Sequence, residues 1–173
     1  MIAIIDYDAG NIRSVEKALL ALGQDVTVTA DRDEILHADK VILPGVGAFV
    51  DAMEKLKQSG LDEVIREVTE KGTPFLGICL GLQLLFEHSD EAPGVEGLGI
   101  LKGEILRIPD KEGYKIPHMG WNSLHLENDG RLFKGIAENS YVYFVHSYYL
   151  KAEEEQIVKA STEYTTHIHA SVD

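Results

Sequence analysis

The sequence holds a single cysteine, Cys79, in 173 residues. No intramolecular disulfide is therefore available, which fits a reducing compartment and an expected cytoplasmic location. Long apolar runs are missing as well. No stretch approaches the roughly 20 residues that a membrane span needs, and the opening MIAIIDYDAG lacks the basic start and extended apolar core of a secretion signal. Basic side chains are scarce: 16 Lys and Arg stand against 29 Asp and Glu, a net charge of -13. That balance argues against nucleic acid or an anionic membrane as the main partner. There is no repeat, no low-complexity tract and no linker. What remains is an ordinary globular composition, 45% hydrophobic and 26% charged, sized for one domain with a sizeable core.

The first half alternates strand and helix. Ile2–Asp6 reads as a short apolar strand, followed by the loop Asp8-Ala9-Gly10-Asn11 with Asn11 as an N-cap. Ile12, Val15, Leu19 and Leu22 recur at steps of three and four, so Ile12–Leu22 is predicted as an amphipathic helix closed by Gly23. Strands follow at Asp25–Thr29, Lys40–Leu43 and Phe75–Ile78, with helices at Asp31–His37, Phe49–Lys57, Leu61–Lys71 and Leu82–His88. Such alternation predicts an α/β fold: a mostly parallel central sheet flanked by helices, with ligands at the carboxyl ends of its strands. The second half changes to strand-rich segments, Ile100–Ile108, Gly120–Glu127, Tyr141–Leu150, Ile157–Glu163 and His167–Val172. These predict antiparallel strands added to one side of the parallel sheet.

Two loops at those carboxyl ends carry chemistry. Gly77-Ile78-Cys79-Leu80-Gly81 lies between a strand and a helix, the cysteine form of a nucleophile elbow. Its glycines permit a sharp turn and close strand–helix packing, and the helix dipole would favour a thiolate at Cys79. Pro44-Gly45-Val46-Gly47 follows another strand, and its free backbone N–H groups suit an oxyanion hole, although a tight turn is the simpler reading of that stretch alone. The two together suggest an amide hydrolase.

These residues, with Tyr143-Phe144-Val145-His146-Ser147-Tyr148, resemble the class I (triad) glutamine amidotransferases. Asp8-Ala9-Gly10-Asn11, Glu91-Ala92-Pro93-Gly94 and Ile116-Pro117-His118-Met119-Gly120-Trp121-Asn122 narrow the resemblance to the glutaminase subunits of imidazole glycerol phosphate synthases, of histidine biosynthesis. The resemblance runs in order along the whole chain. It implies a single flavodoxin-like amidotransferase domain over residues 1–173, with Cys79 attacking the side-chain amide of glutamine. Leu80 and a backbone N–H at Val46 or Gly47 would hold the oxyanion. Gln83, Glu91, His146, Ser147 and Tyr148 would bind the substrate. Asn11, Trp121 and Tyr143 would face a cyclase subunit in a heterodimer, and no cofactor or metal is implied. Without the resemblance, Gln83 is an ordinary helix residue, Glu91 a solvated loop charge and His146 a core histidine. Trp121 is then either core or an interface anchor.

The family's Phe-His-Pro-Glu-type motif, which carries the general base and its orienting carboxylate, does not occur in these 173 residues. His167-Ile168-His169-Ala170-Ser171-Val172-Asp173 matches the strand before it, so the expectation is that this motif and the last helix lie beyond Asp173. His167 and His169 alternate on that strand and share a face. They lack a third ligand at a spacing that would make a metal site. Two alternatives stay open: a docking subunit without catalysis, and a glutaminase serving a different synthase.

Overall fold

The computed structural model describes all residues, Met1–Asp173. Strands β1 (Ile2–Ile5), β2 (Val26–Thr29), β3 (Lys40–Gly45) and β4 (Phe75–Cys79) form a parallel sheet in the order β2-β1-β3-β4. The helices between them are α1 (Ile12–Ala21), α2 (Arg32–Leu36), α3 (Phe49–Ser59) and α4 (Leu61–Glu70). Every residue of β1 is buried, because both faces of the sheet are covered. Ile2 and Ile4, with Ile42, pack against Ile12, Val15 and Leu19 of α1. Ala3 and Ile5 point the other way, into the main core with Phe49, Met53 and Leu56 of α3 and Val64, Ile65 and Val68 of α4.

Local signals set most boundaries. Asp31 caps α2 by accepting from Glu34 N–H at 3.0 Å. Gly60, at φ 70°, ends α3 in the left-handed conformation that favours glycine. Asn11 occupies the N-cap position of α1, but its side chain makes no capping bond; its carbonyl instead accepts from Ser14 and Val15.

The helix after the elbow is shorter than its apolar run predicts. Helix α5 covers only Leu80–Gln83, and His88 belongs to strand β5 (His88–Ser89). Tertiary hydrogen bonds stop it. The carbonyls of Leu84, Leu85, Phe86 and Glu87, which a continuing helix would use internally, accept from Leu98, Ile100, Gly99 and Gly97.

The remaining strands are β6 (Gly103–Arg107), β7 (His118–Ser123), β8 (His125–Leu126), β9 (Tyr141–His146), β10 (Tyr148–Ala152), β11 (Val158–Glu163) and β12 (His167–Val172). They do not extend the parallel sheet, as the sequence pattern predicts, but form two sheets of their own. One has the order β5-β6-β10-β12-β11-β8, antiparallel except for the β5–β6 pair. It closes over a second core of Phe86, Ile105, Leu150, Ala152 and Val158. The other is the antiparallel pair β7–β9, with Met119 opposite Val145 and Trp121 opposite Tyr143. The single strand predicted over Tyr141–Leu150 is therefore two. β9 pairs with β7, β10 pairs with β6, and the chain changes sheets at Ser147, whose carbonyl accepts from Ile108 N–H at 2.9 Å.

Candidate active site

Strands β3 and β4 are parallel neighbours with Gly45 paired to Cys79. Adjacent strands run about 4.8 Å apart, so the register alone brings Pro44–Gly47 beside the elbow. Two glycines make the fit possible. A Cβ on Gly45 would lie 2.5 Å from the Gly81 nitrogen, and one on Gly81 would lie 1.9 Å from the Leu43 carbonyl oxygen. Neither contact is compatible with a side chain, since each clash is with backbone that has nowhere to move.

Cys79 stands at the turn with φ 55° and ψ -117°, a strained conformation for a residue with a side chain. Strain of this kind is characteristic of residues held in place for chemistry. The residue reaches solvent. Enough protein surrounds its sulfur that burial pushes the thiol above its ordinary pKa, with the Leu80 N–H opposing that shift. The helix dipole expected to favour thiolate does not prevail, because α5 is a single turn and sums few peptide dipoles.

Beside the thiol, the N–H groups of Val46 and Gly47 make no intramolecular hydrogen bond, and Gly47 sits at φ 97°. Tyr7, at the end of β1, is buried and donates from its hydroxyl to the Pro44 carbonyl at 3.0 Å. Burial, and then the neighbouring Cys79, push that hydroxyl up to about 12. Tyr7 thus braces the Pro44–Gly47 turn from beneath. The sequence holds a hint of this only in its position, just past a strand end. Lys55 of α3 holds the adjacent loop through the Asp8 carbonyl and, at 3.1 Å, its carboxylate.

The other predicted substrate residues are present in two linked groups. Glu91 accepts from Phe49 N–H at 3.1 Å, so its carboxylate sits on the first turn of α3, next to Val46 and Gly47. Gln83 Nε2 donates to the Tyr148 carbonyl at 3.2 Å, and His146 Nδ1 approaches the same oxygen at 3.0 Å. The carbonyls of Ser147 and Tyr148 are therefore already committed within the chain. His146 also meets His118, a residue that the sequence shows only as part of a motif.

Of the predicted partner residues, Trp121 and Tyr143 stand together on the β7–β9 pair, ring edge to ring face at 5.6 Å. Both are exposed, 70% and 55%. Asn11 is exposed too, but at the carboxyl edge of the parallel sheet. His167 and His169 share a face of β12, as their alternation predicts, with rings 5.7 Å apart. No helix is long and apolar enough to cross a membrane.

A cysteine elbow beside a free-amide turn on a parallel sheet defines a class of enzyme, and residues 3–173 match the family model described as glutamine amidotransferase class-I. The chain belongs to that family. It is 54% identical to the imidazole glycerol phosphate synthase subunit HisH of Moorella thermoacetica, over 99% of this chain and 80% of that relative. Similarity to the subunit of the same name from Caldanaerobacter subterraneus is 52%, over 99% of this chain and 84% of that one. Among solved structures, one titled "Crystal structure of glutamine amidotransferase" superposes with a TM-score of 0.71 at 16% identity, covering 94% of this chain and 85% of its own. It shares the fold. The family and fold class read from the motifs are those that the comparisons return.

Proposed function

We propose that the chain is the glutaminase subunit of an imidazole glycerol phosphate synthase. It hydrolyses glutamine to glutamate and ammonia and supplies the ammonia to a cyclase subunit. There, ammonia converts a phosphoribulosyl imidazole-carboxamide intermediate into imidazole glycerol phosphate and aminoimidazole carboxamide ribotide. The observation that carries this reading is the Gly45–Cys79 register, which sets two unspent backbone donors beside the nucleophile.

In this reading the Cys79 sulfur attacks the side-chain amide carbon of glutamine. The carbonyl oxygen takes on negative charge, and the N–H of Leu80 with that of Val46 or Gly47 stabilises it. Ammonia leaves with a proton, and water then hydrolyses the thioester to glutamate. Gln83, Glu91 and the His146–Tyr148 segment surround the amino-acid end. The raised thiol pKa means that Cys79 is mostly protonated at neutral pH, so attack requires a proton acceptor. All seven histidines here are engaged elsewhere, with Asp33, Glu104, Glu138, Glu163, Ala152 or, for His118 and His146, each other. The reading assigns that acceptor role to none of these seven.

The identity to subunits that share one name favours this synthase over another glutaminase partner. The exposed aromatic face of β7–β9 supports heterodimer formation, because Trp and Tyr anchor interfaces. A cytoplasmic location agrees with a biosynthetic enzyme built on one free cysteine. Glutamate release by the chain with its cyclase partner tests the assignment. Cys79→Ala should reduce release to background, and equal turnover by the two proteins would remove Cys79 from the mechanism.

A further inference from the structure

His118 is 3% exposed, although it lies on the strand that presents Met119 and Trp121 to solvent. Alternation explains this. Odd positions of β7 face out, while His118 and Asn122 face in. The His118 ring is stacked between Phe144, at 4.8 Å and 17°, and Tyr164, at 3.9 Å and 18°. Its Nδ1 lies 2.9 Å from His146 Nε2. Asn122 Nδ2, which donates to the Glu163 carbonyl at 2.9 Å, also faces His118 Nε2 at 3.5 Å.

The donor and acceptor roles along this chain follow from its far end. The Tyr148 carbonyl can only accept, so His146 Nδ1, 3.0 Å away, carries the hydrogen. In a neutral ring His146 Nε2 is then bare, and His118 Nδ1 must carry the hydrogen that lies between the two rings. Burial keeps both rings neutral: it lowers His146 below the ordinary histidine range and, with the second ring alongside, takes His118 down to about 4. The Tyr148 oxygen has two lone pairs, one used by His146 and the other by Gln83 Nε2 at 3.2 Å.

We propose that His118 is a positioning residue for Gln83: by donating to His146 Nε2 it holds in place the ring whose Nδ1–H, with the Gln83 amide, shares the Tyr148 carbonyl. The consequence is an orientation. With Nε2 held by Tyr148, the group Gln83 has left to offer a substrate is Oε1, an acceptor. An acceptor there recognises an N–H of the substrate, either its ammonium or its amide. This role of Gln83 rests on the glutaminase reading above, whereas the tautomer does not.

The test therefore has two arms. Nitrogen-15 NMR of the imidazoles in the full chain should show His146 as the Nδ1–H tautomer. His118→Phe retains a ring beside Phe144 and Tyr164 but has no donor, and it should move the His146 Nε2 resonance toward that of a nitrogen with no hydrogen-bond donor, the tautomer staying Nδ1–H. A wild-type His146 in the Nε2–H form, or an unchanged Nε2 resonance in the variant, overturns the proposal without reference to catalysis. In the second arm, glutamine hydrolysis is followed with the cyclase partner present. His118→Phe should raise KM about five- to tenfold, the worth of one neutral hydrogen bond, while kcat changes less than about twofold. In a Gln83→Ala background the same substitution should add nothing. A fall in kcat without a rise in KM, or additive effects with Gln83→Ala, overturns it. Absence of glutamate release by the wild-type complex would instead overturn the glutaminase reading, and the NMR arm would still decide the tautomer.

Discussion

Cys79 feels two opposed influences on its thiol, and the larger one is burial. The elbow leaves Cys79 open to solvent, but also sets its sulfur among β3, β4 and Tyr7, where a negative charge loses water. The Leu80 N–H returns only part of that loss. A raised pKa leaves less thiolate at neutral pH than a free cysteine has. Alkylation by iodoacetamide, followed by mass spectrometry of this one-cysteine chain, should therefore have a pH–rate curve displaced to higher pH than that of an unhindered thiol. A curve at or below the model thiol would show that the Leu80 N–H outweighs burial. The motif Gly-X-Cys-X-Gly was legible as a turn, since glycine spacing is a local property. The sign of the pKa shift was not, because desolvation depends on what the rest of the chain packs around the sulfur.

At the scale of elements, α3 shows a helix start completed by a distant residue. Its N-cap, Ala48, has no side-chain acceptor, and Glu91 supplies one from 42 residues further along the chain. The carboxylate also meets the positive end of the helix. Glu91→Ala should cost about 1 kcal/mol in urea unfolding, the usual value of a cap, while Glu91→Gln, which keeps an acceptor oxygen, should retain at least half of it. Equal midpoints for Glu91→Ala and the wild type would show that the contact does not stabilise the fold. The short α5 and the break at Ser147 follow the same principle. Leu82–His88 is apolar enough for a helix, and Tyr141–Leu150 is β-rich enough for one strand. Backbone partners at Gly97–Ile100 and Ile108 end both early. Propensity cannot register such partners, because they arrive from elsewhere in the sequence.

For the whole molecule, the notable surface is the outer face of β7–β9. Met119, Trp121, Tyr141, Tyr143 and Val145 all point outward there, in mutual register. This exposed apolar face on a strongly acidic chain is the surface we propose for the cyclase partner. Trp121→Ala and Tyr143→Ala should each weaken binding of the cyclase partner at least about tenfold by calorimetric titration. The isolated chain should lose no more than about 1 kcal/mol, since only the contact between the two rings is removed. Undiminished affinity in both variants would place the interface elsewhere. The two residues were readable as candidates from composition and motif, but core packing was an equal reading for the sole Trp until the pairing of β7 with β9 left it outside.

Short-range periodicity, glycine spacing and motifs contiguous in the chain suffice for the alternating strands and helices of the first half, the elbow around Cys79 and the family. Folding is needed to establish that the later strands form separate sheets, that Tyr7 braces Pro44, that Glu91 caps α3 and that His118 is linked to Gln83 through His146 and the Tyr148 carbonyl. Each of these joins residues far apart in the chain. Their energies come from burial and hydrogen-bond partners that exist only once the fold has brought them together.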